Sequence, residues 1–297
     1  MGLKGIAAVT LFLTGVFLAG CNQQPLISEQ NEPKSSGSQS SQSAPLVTSS
    51  STPAEPKNPK LELHAVELSS QQVDLYGDGE QHEVALISYT DDKGNPYLWQ
   101  VKLDDQLKAS LAQPEESLFA PADMKIEDLN GDGKPEILVY RYNTGSGGGI
   151  GLHIYSPLQG WDPIFSVENP FAPSSMEGKE RYSVKYIGEY KVSFEDDVTG
   201  MKTMIPLDAH KYEGIDIPLE KIGTWVDSIS AYYFSDKEDA GGAKTIVAEQ
   251  RIIGVTHPDT IAKLRTTYHW NGTIYVPTTV GLYDEQDNLL QTQAFES

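Results

Sequence analysis

The sequence holds a single cysteine, Cys21, among 297 residues. With no second cysteine the chain cannot form an intramolecular disulfide, so its fold must be stabilised by a core, by bound ions or by both. Basic residues are also scarce, because 22 Lys and Arg stand against 42 Asp and Glu, for a formal net charge of −20. Nucleic acid is therefore not an expected partner, since its phosphates would be repelled.

Recognisable catalytic motifs are missing as well, because the sequence contains no HExxH, GxSxG or SxxK pattern. The histidines are scattered without metal-ligand spacing, and no carboxylate pair stands out among the many acidic residues. The glycine-rich segment 143–151 lacks the Lys-Ser or Lys-Thr pair of a phosphate loop, so it is interpreted as an interstrand loop. The tryptophans are expected in the core rather than on a sugar-stacking surface.

The one long uncharged apolar run is residues 5–19, which follows Lys4. Its length is typical of an export signal and is short for a bilayer crossing. The tetrapeptide Leu18-Ala19-Gly20-Cys21 that ends this segment resembles the lipobox of bacterial lipoprotein signals. The resemblance implies that residues 1–20 are removed and that Cys21 carries a lipid such as palmitate, which anchors an extracytoplasmic protein to the bacterial cell membrane. An uncleaved helix, or a secretory signal in which Cys21 is incidental, is the alternative.

Residues 21–59 differ in composition from the rest of the chain, being rich in Ser, Gln, Pro, Asn and Thr. Such a segment has little apolar surface to bury and is predicted to be a disordered tether. The acidic remainder, residues 60–297, is predicted to be the folded part, with a possible internal boundary near 206–223. Its excess of carboxylates favours binding of divalent cations.

The folded part shows short runs of β-branched and aromatic residues between turn signals, which predicts an all-β fold. Two short helices are also predicted, over Asp104–Ala112 and over Asp259–Leu264. Asn271-Gly272 predicts a two-residue hairpin turn near the C-terminus. The predicted strands are Glu83–Tyr89, Tyr97–Leu103, Glu136–Tyr142, Leu152–Tyr155, Tyr182–Ile187, Lys191–Glu195, Met201–Leu207, Ile229–Phe234, Thr245–Ile253, Thr267–Trp270 and Thr273–Val276.

The segment DLNGDGKPEIL, residues 128–138, places side-chain oxygens at every second position, with a glycine where the loop must bend. Convergent oxygens are the ligands that Ca²⁺ prefers, so the segment predicts a calcium loop. It is not an EF-hand, because the twelfth position is Val139 and a strand follows. A tight turn without an ion is the alternative. The expected ligands are the side chains of Asp128, Asn130, Asp132 and Glu136 and the backbone carbonyl of Lys134.

This loop and its following strand resemble the FG-GAP or VCBS repeats of β-propellers such as integrin alpha chains. A second copy begins at Asp74, 54 residues before Asp128, which suits one propeller blade. Tyr76 takes the place of Asn130 in that copy, so its oxygen pattern is incomplete. Asp74 and Asp78 therefore predict a weaker second metal site, with a degenerate turn as the alternative.

The resemblance implies an irregular, propeller-like arrangement of antiparallel sheets, with a β-sandwich or two small β-domains as the alternative. Two functions are compatible with these features. One is a non-enzymatic, calcium-stabilised module that binds an envelope protein or polysaccharide while anchored to the membrane. The other is an envelope glycan hydrolase or lyase. The first is favoured, because the identified motifs have structural uses and none has a catalytic one.

Overall fold

The computed structural model describes residues 62–114, 119–145, 148–167, 181–214, 223–238 and 242–296. The signal sequence, Cys21 and the tether predicted from the sequence lie outside these residues. All of the predicted metal ligands lie within them. Residues 58–297 form one compact unit. Among the described residues, no helix is long and apolar enough to cross a membrane.

The fold is all-β, as the sequence predicts, and is built from four antiparallel sheets in which consecutive strands are hydrogen-bonded neighbours. Within the described residues none of these sheets closes on itself. Sheet I comprises β1 His64–Val73, β2 His82–Thr90, β3 Pro96–Leu103 and β4 Gln106–Ala112. Sheet II comprises β5 Phe119–Glu127, β6 Glu136–Asn143, β7 Ile150–Tyr155 and β8 Pro163–Val167.

The C-terminal half of the fold supplies the other two sheets. In the described part of the chain, the helical segments are two 3₁₀ turns, Pro157–Gln159 and Ala209–Tyr212. Sheet III comprises β9 Tyr182–Gly188, β10 Lys191–Asp196 and β11 Met201–Pro206. Sheet IV comprises β12 Trp225–Glu238, β13 Lys244–Ile253, β14 Thr260–Trp270, β15 Tyr275–Tyr283 and β16 Leu289–Ala294.

Sheet II lies between two other sheets, and strand β6 shows why. Successive side chains of a strand point to opposite faces. Ile137 and Val139 belong to the hydrophobic cluster shared with sheet I. Leu138 and Tyr140 belong to the cluster shared with sheet IV. A strand that is buried on both faces therefore reads as the continuous apolar run seen in this part of the sequence.

One face of sheet IV covers two neighbours. Ile246 and Ala248 of β13 pack in the cluster shared with sheet II. Ile252, on the same face of the same strand, packs with Phe194 of sheet III. Sheets II and III thus both pack against sheet IV, and sheet I packs on the opposite face of sheet II.

Both predicted helices are wrong. Residues Asp104 and Asp105 form the turn between β3 and β4, with φ of 47° and 64°, and β4 replaces the helix. Two positive φ values match the twist of a two-residue hairpin and cannot start a right-handed helix. Asp259 ends a turn by accepting the Val255 N–H at 2.8 Å, and β14 then starts at Thr260. Pairing with β13 and β15 overrides the local helical pattern there.

The C-terminal hairpin exists, but its turn is longer than the two residues predicted. Trp270 pairs with Tyr275, which leaves a four-residue loop between them. Asn271 organises that loop, because its Oδ1 accepts the N–H groups of Thr273 and Ile274, both at 2.9 Å. The side-chain bonds of Asn271 therefore select a wider turn.

Candidate functional site

The predicted calcium loop joins β5 to β6, and Asp128 organises its first half. The Asp128 Oδ1 accepts the N–H of Gly131 and its Oδ2 accepts the N–H of Gly133, both at 2.9 Å. Further along, Asn130 Oδ1 accepts the Asp132 N–H at 2.9 Å. These bonds close the loop around its own side-chain oxygens.

Asp132 continues the same pattern, because its Oδ1 accepts the Lys134 N–H at 2.8 Å. The side chain of Lys134 leaves the loop towards sheet I, where a Cβ added to Gly77 would lie 3.1 Å from the Lys134 Cε. The structure therefore brings the two copies of the motif next to each other. The ligand expected from Lys134 is its backbone carbonyl.

Glu136 lies beneath the loop and is 1% exposed. Its Oε2 accepts the N–H of Leu129 at 2.9 Å, and its Oε1 accepts the side-chain amide of Asn130 at 2.8 Å. Burial raises the pKa of the Glu136 carboxyl to about 7, and the loop N–H groups oppose that rise. A cation close to this carboxylate would favour its charged form.

The donor set of the loop fits a hard cation chemically. Asp128 and Asp132 carry carboxylate oxygens and Asn130 carries an amide oxygen, and oxygen is what Ca²⁺ binds. Each carboxylate has about four lone-pair sites, so the two N–H bonds accepted by Asp128 leave capacity for an ion. Within the described residues, no group of three or more His, Cys, Asp or Glu is arranged to hold a metal. Calcium binding therefore stays a prediction. It requires the amide oxygen of Asn130 and the backbone carbonyl of Lys134 in addition to the carboxylates.

The first copy of the motif, at the start of β2, repeats the backbone geometry. Asp74 accepts the N–H groups of Gly77 at 2.6 Å and Gly79 at 2.9 Å, and Asp78 accepts that of Glu80 at 2.9 Å. These are the bonds of the Asp128 loop shifted by 54 positions. The internal repeat inferred from the sequence is therefore visible in the local structure.

The two copies differ where a cation would need further oxygens. At the positions of Asn130 and Glu136 the first copy has Tyr76 and His82, whose rings are in edge contact with centroids 5.3 Å apart. His82 is bound by Asp104 at 2.7 Å, and that hydrogen bond raises the pKa of the histidine. The Tyr76 and His82 rings stand where the second copy has the Asn130 amide and the Glu136 carboxylate. The first copy therefore lacks two of the oxygen ligands expected in the second.

Sequence reasoning missed a buried polar network in sheet II. Arg141 and His153 are each 1% exposed, and Arg141 Nη2 donates to His153 Nε2 at 2.9 Å. The other ring nitrogen of His153 lies 3.0 Å from Ser166 Oγ. The Arg141 guanidinium also stacks on Trp99 and Phe119. Isolated arginine and histidine residues in a strand carry no sequence signal that would have revealed this network.

The glycine-rich segment after β6 serves as an interstrand loop. The Asn143 N–H donates to the Gly149 carbonyl at 2.8 Å, and β7 follows. Ser228 of sheet IV donates its hydroxyl to the Gly148 carbonyl at 3.1 Å. Trp99, one of the tryptophans weighed as sugar-stacking surfaces, is 1% exposed and belongs to the core.

One comparison with known proteins concerns the C-terminal part of the chain. Residues 180–283 match the model of the YybI C-terminal domain. This part of the chain is similar to YybI. The range starts just before Arg181 and ends with β15, so it takes in sheet III and most of sheet IV. The Asp128 loop lies outside it.

A curated relative is the uncharacterized protein YybI of Bacillus subtilis (strain 168), 25% identical over 157 residues. The match covers 50% of this chain and 56% of YybI, so the chain spans little more than half the length of that relative. A solved structure of BBS1N in complex with ARL6DN, soaked with mercury, is 11% identical and covers 76% of this chain and 91% of its own. Its TM-score of 0.17 is too low to support any structural argument.

Proposed function

We propose that this protein is a lipid-anchored, extracytoplasmic module whose β-fold is stabilised by calcium bound in the Asp128–Glu136 loop. The observation that carries the proposal is the pair of loops with the same backbone hydrogen bonds, of which the second keeps an all-oxygen donor set. In this role the ion is structural. The bound calcium stiffens a junction between sheets and leaves the outer loops for a partner.

The proposed partner is an envelope protein or polysaccharide, reached while Cys21 holds the chain at the membrane. A net charge of −20 disfavours nucleic acid and close contact with anionic lipid, so the lipid itself supplies the attachment. Calcium modules of extracellular proteins bind with Kd of about 10⁻⁴ to 10⁻³ M. With such an affinity the site is about half to nine-tenths occupied at about 1 mM free calcium.

Calcium is expected to raise the melting temperature of the purified chain. At free calcium about a hundredfold above Kd, one site adds about 2.7 kcal/mol to the free energy of unfolding. For a unit of this size that corresponds to about 5 to 10 °C. Thermal unfolding in calcium and in excess chelator measures the shift.

Asp132→Ala should remove that response, and Asp78→Ala is its matched control. Each variant deletes a carboxylate that accepts one N–H two residues further on, at 2.8 Å and 2.9 Å respectively. Loss of that bond alone would affect both variants equally. A calcium shift that survives in Asp132→Ala at its full size would refute the site.

Lipid attachment is tested separately. Cys21→Ser is expected to abolish incorporation of labelled palmitate in a bacterial host, because the thiol is the acceptor of the lipid in the lipoprotein pattern. Ser28→Ala, in the tether, should label like the unaltered chain. Normal labelling of Cys21→Ser would contradict the lipoprotein interpretation.

A further inference from the structure

The Asp128 loop also makes direct contact with sheet IV, through the peptide unit of Leu129. Leu129 is fully buried, and its carbonyl oxygen accepts two hydrogen bonds. One comes from the backbone N–H of Lys244 in β13 at 2.7 Å, and the other from the hydroxyl of Tyr275 in β15 at 2.6 Å. Two strands of sheet IV are thereby fixed to one carbonyl of the loop.

The backbone N–H of Leu129 is bound on the opposite side of the peptide chain, by Glu136. Glu136 accepts the Leu129 N–H at 2.9 Å, so a buried carboxylate and two donors from sheet IV bind the same residue. Lys244 adds an ion pair with Glu127, with the Nζ and Oε1 atoms 2.5 Å apart. The residues that order the loop and the residues that dock sheet IV are therefore in one connected set of hydrogen bonds.

A backbone contact supports the same junction. Gly131 has a φ of +77°, and a Cβ added there would overlap the carbonyl of Gly242, the residue two positions before β13 begins. Gly133 has a similar φ of +81° but no atom within 4 Å of an added Cβ. The loop thus contacts the connection that leads into β13 at a point where a side chain would overlap the Gly242 backbone.

We propose that ion occupancy of the Asp128 loop controls how firmly sheet IV docks on sheet II. This inference rests on the proposed calcium site and adds to it a route of regulation. An ion that fixes the loop also fixes the Leu129 carbonyl and Gly131, and both are contacts of sheet IV. The coupling is reciprocal, so contacts from sheet IV must in turn raise the affinity of the loop for calcium.

Reciprocity makes Tyr275→Phe the decisive variant. It deletes the hydroxyl that binds the loop, and calcium affinity is expected to fall about fivefold. Tyr232→Phe is the control, because the Tyr232 hydroxyl also bridges sheet IV to a sheet II carbonyl, that of Ile150, at 3.2 Å but away from the loop. Its calcium affinity should equal that of the unaltered chain.

Gly131→Ala and Gly133→Ala test the backbone contact in the same titration. Both variants place alanine at a similar positive φ, so the cost of local strain is shared. Gly131→Ala alone must push the loop away from Gly242. It is expected to weaken calcium binding more than Gly133→Ala does.

Amide hydrogen exchange of Lys244 in the full chain reports docking directly. Calcium is expected to slow exchange of this amide about tenfold relative to chelator. Calcium binding with unchanged Lys244 exchange and an unchanged affinity of Tyr275→Phe would overturn the coupling while leaving the calcium site in place. Absence of any calcium binding to the unaltered chain would overturn the site and the coupling together.

Discussion

Asp196→Asn is expected to lower the free energy of unfolding by about 3 to 5 kcal/mol, because it breaks a buried ion pair from one side. The Asp196 side chain is fully buried, and both its oxygens accept from Arg181 at 2.7 Å. It also accepts the hydroxyl of Thr199 at 2.8 Å. The variant leaves the Arg181 guanidinium on the rings of Tyr182 and Phe295 without this carboxylate.

The neighbouring residue supplies the control for this prediction. Glu195 lies on the opposite face of β10 and pairs with Lys202 at 2.9 Å in an exposed position. Exposed pairs contribute at most about 1 kcal/mol, so Glu195→Gln should change stability little. Urea unfolding of both variants gives the two values. Equal losses of unfolding free energy for Asp196→Asn and Glu195→Gln would show that the buried pair stabilises the fold no more than the exposed pair does.

His153→Gln is expected to make the protein less sensitive to acid. Burial, aided by the positive charge of Arg141, lowers the pKa of His153 to about 3, against 6.5 for an ordinary histidine. Between these values the unfolded chain binds a proton that the folded chain excludes. Stability therefore falls as pH drops below about 6.5, by about 1.4 kcal/mol per pH unit from this residue.

Glutamine at position 153 cannot take up that proton, yet its amide can still accept from Arg141 and donate to Ser166. Urea midpoints measured from pH 6.5 to pH 4.5 should therefore decline less steeply in His153→Gln than in the unaltered chain. His210→Gln is the control, since the His210 side chain is 86% exposed. The same slope in His153→Gln and the unaltered chain would contradict the assigned pKa.

The all-β fold and its interior strands could be predicted from the sequence, and most of the missed strands share a physical cause. The strands with no counterpart in the prediction are β1, β4, β5, β8 and β16, and each lies at the edge of its sheet. Strands β1, β4, β5 and β16 bury at most two side chains each, so their apolar pattern is weak, whereas β8 is a short strand of five residues. In β1 almost every residue is exposed. Burial creates the pattern that sequence analysis detects.

The Asp128–Glu136 loop could be singled out as a candidate calcium loop because its oxygens recur at every second residue, which is a local property of the sequence. Its junction with sheet IV was not visible. Tyr275 is 146 residues from Leu129, and Gly242 belongs to a connection of no distinctive composition. Contacts set by the packing of distant sheets leave no trace in a single sequence. The polar network of Arg141 and His153 lies within one sheet, and it was missed because isolated arginine and histidine residues in a strand carry no sequence signal.

Isothermal titration of the calcium-free chain with Ca²⁺ tests the central claim most directly. The account predicts about one ion bound per chain, with a Kd of about 10⁻⁴ to 10⁻³ M. Asp132→Ala should show no such binding, and Asp78→Ala should bind as the unaltered chain does. Absence of binding heat in the unaltered chain, or full binding by Asp132→Ala, would contradict a calcium site in the Asp128–Glu136 loop.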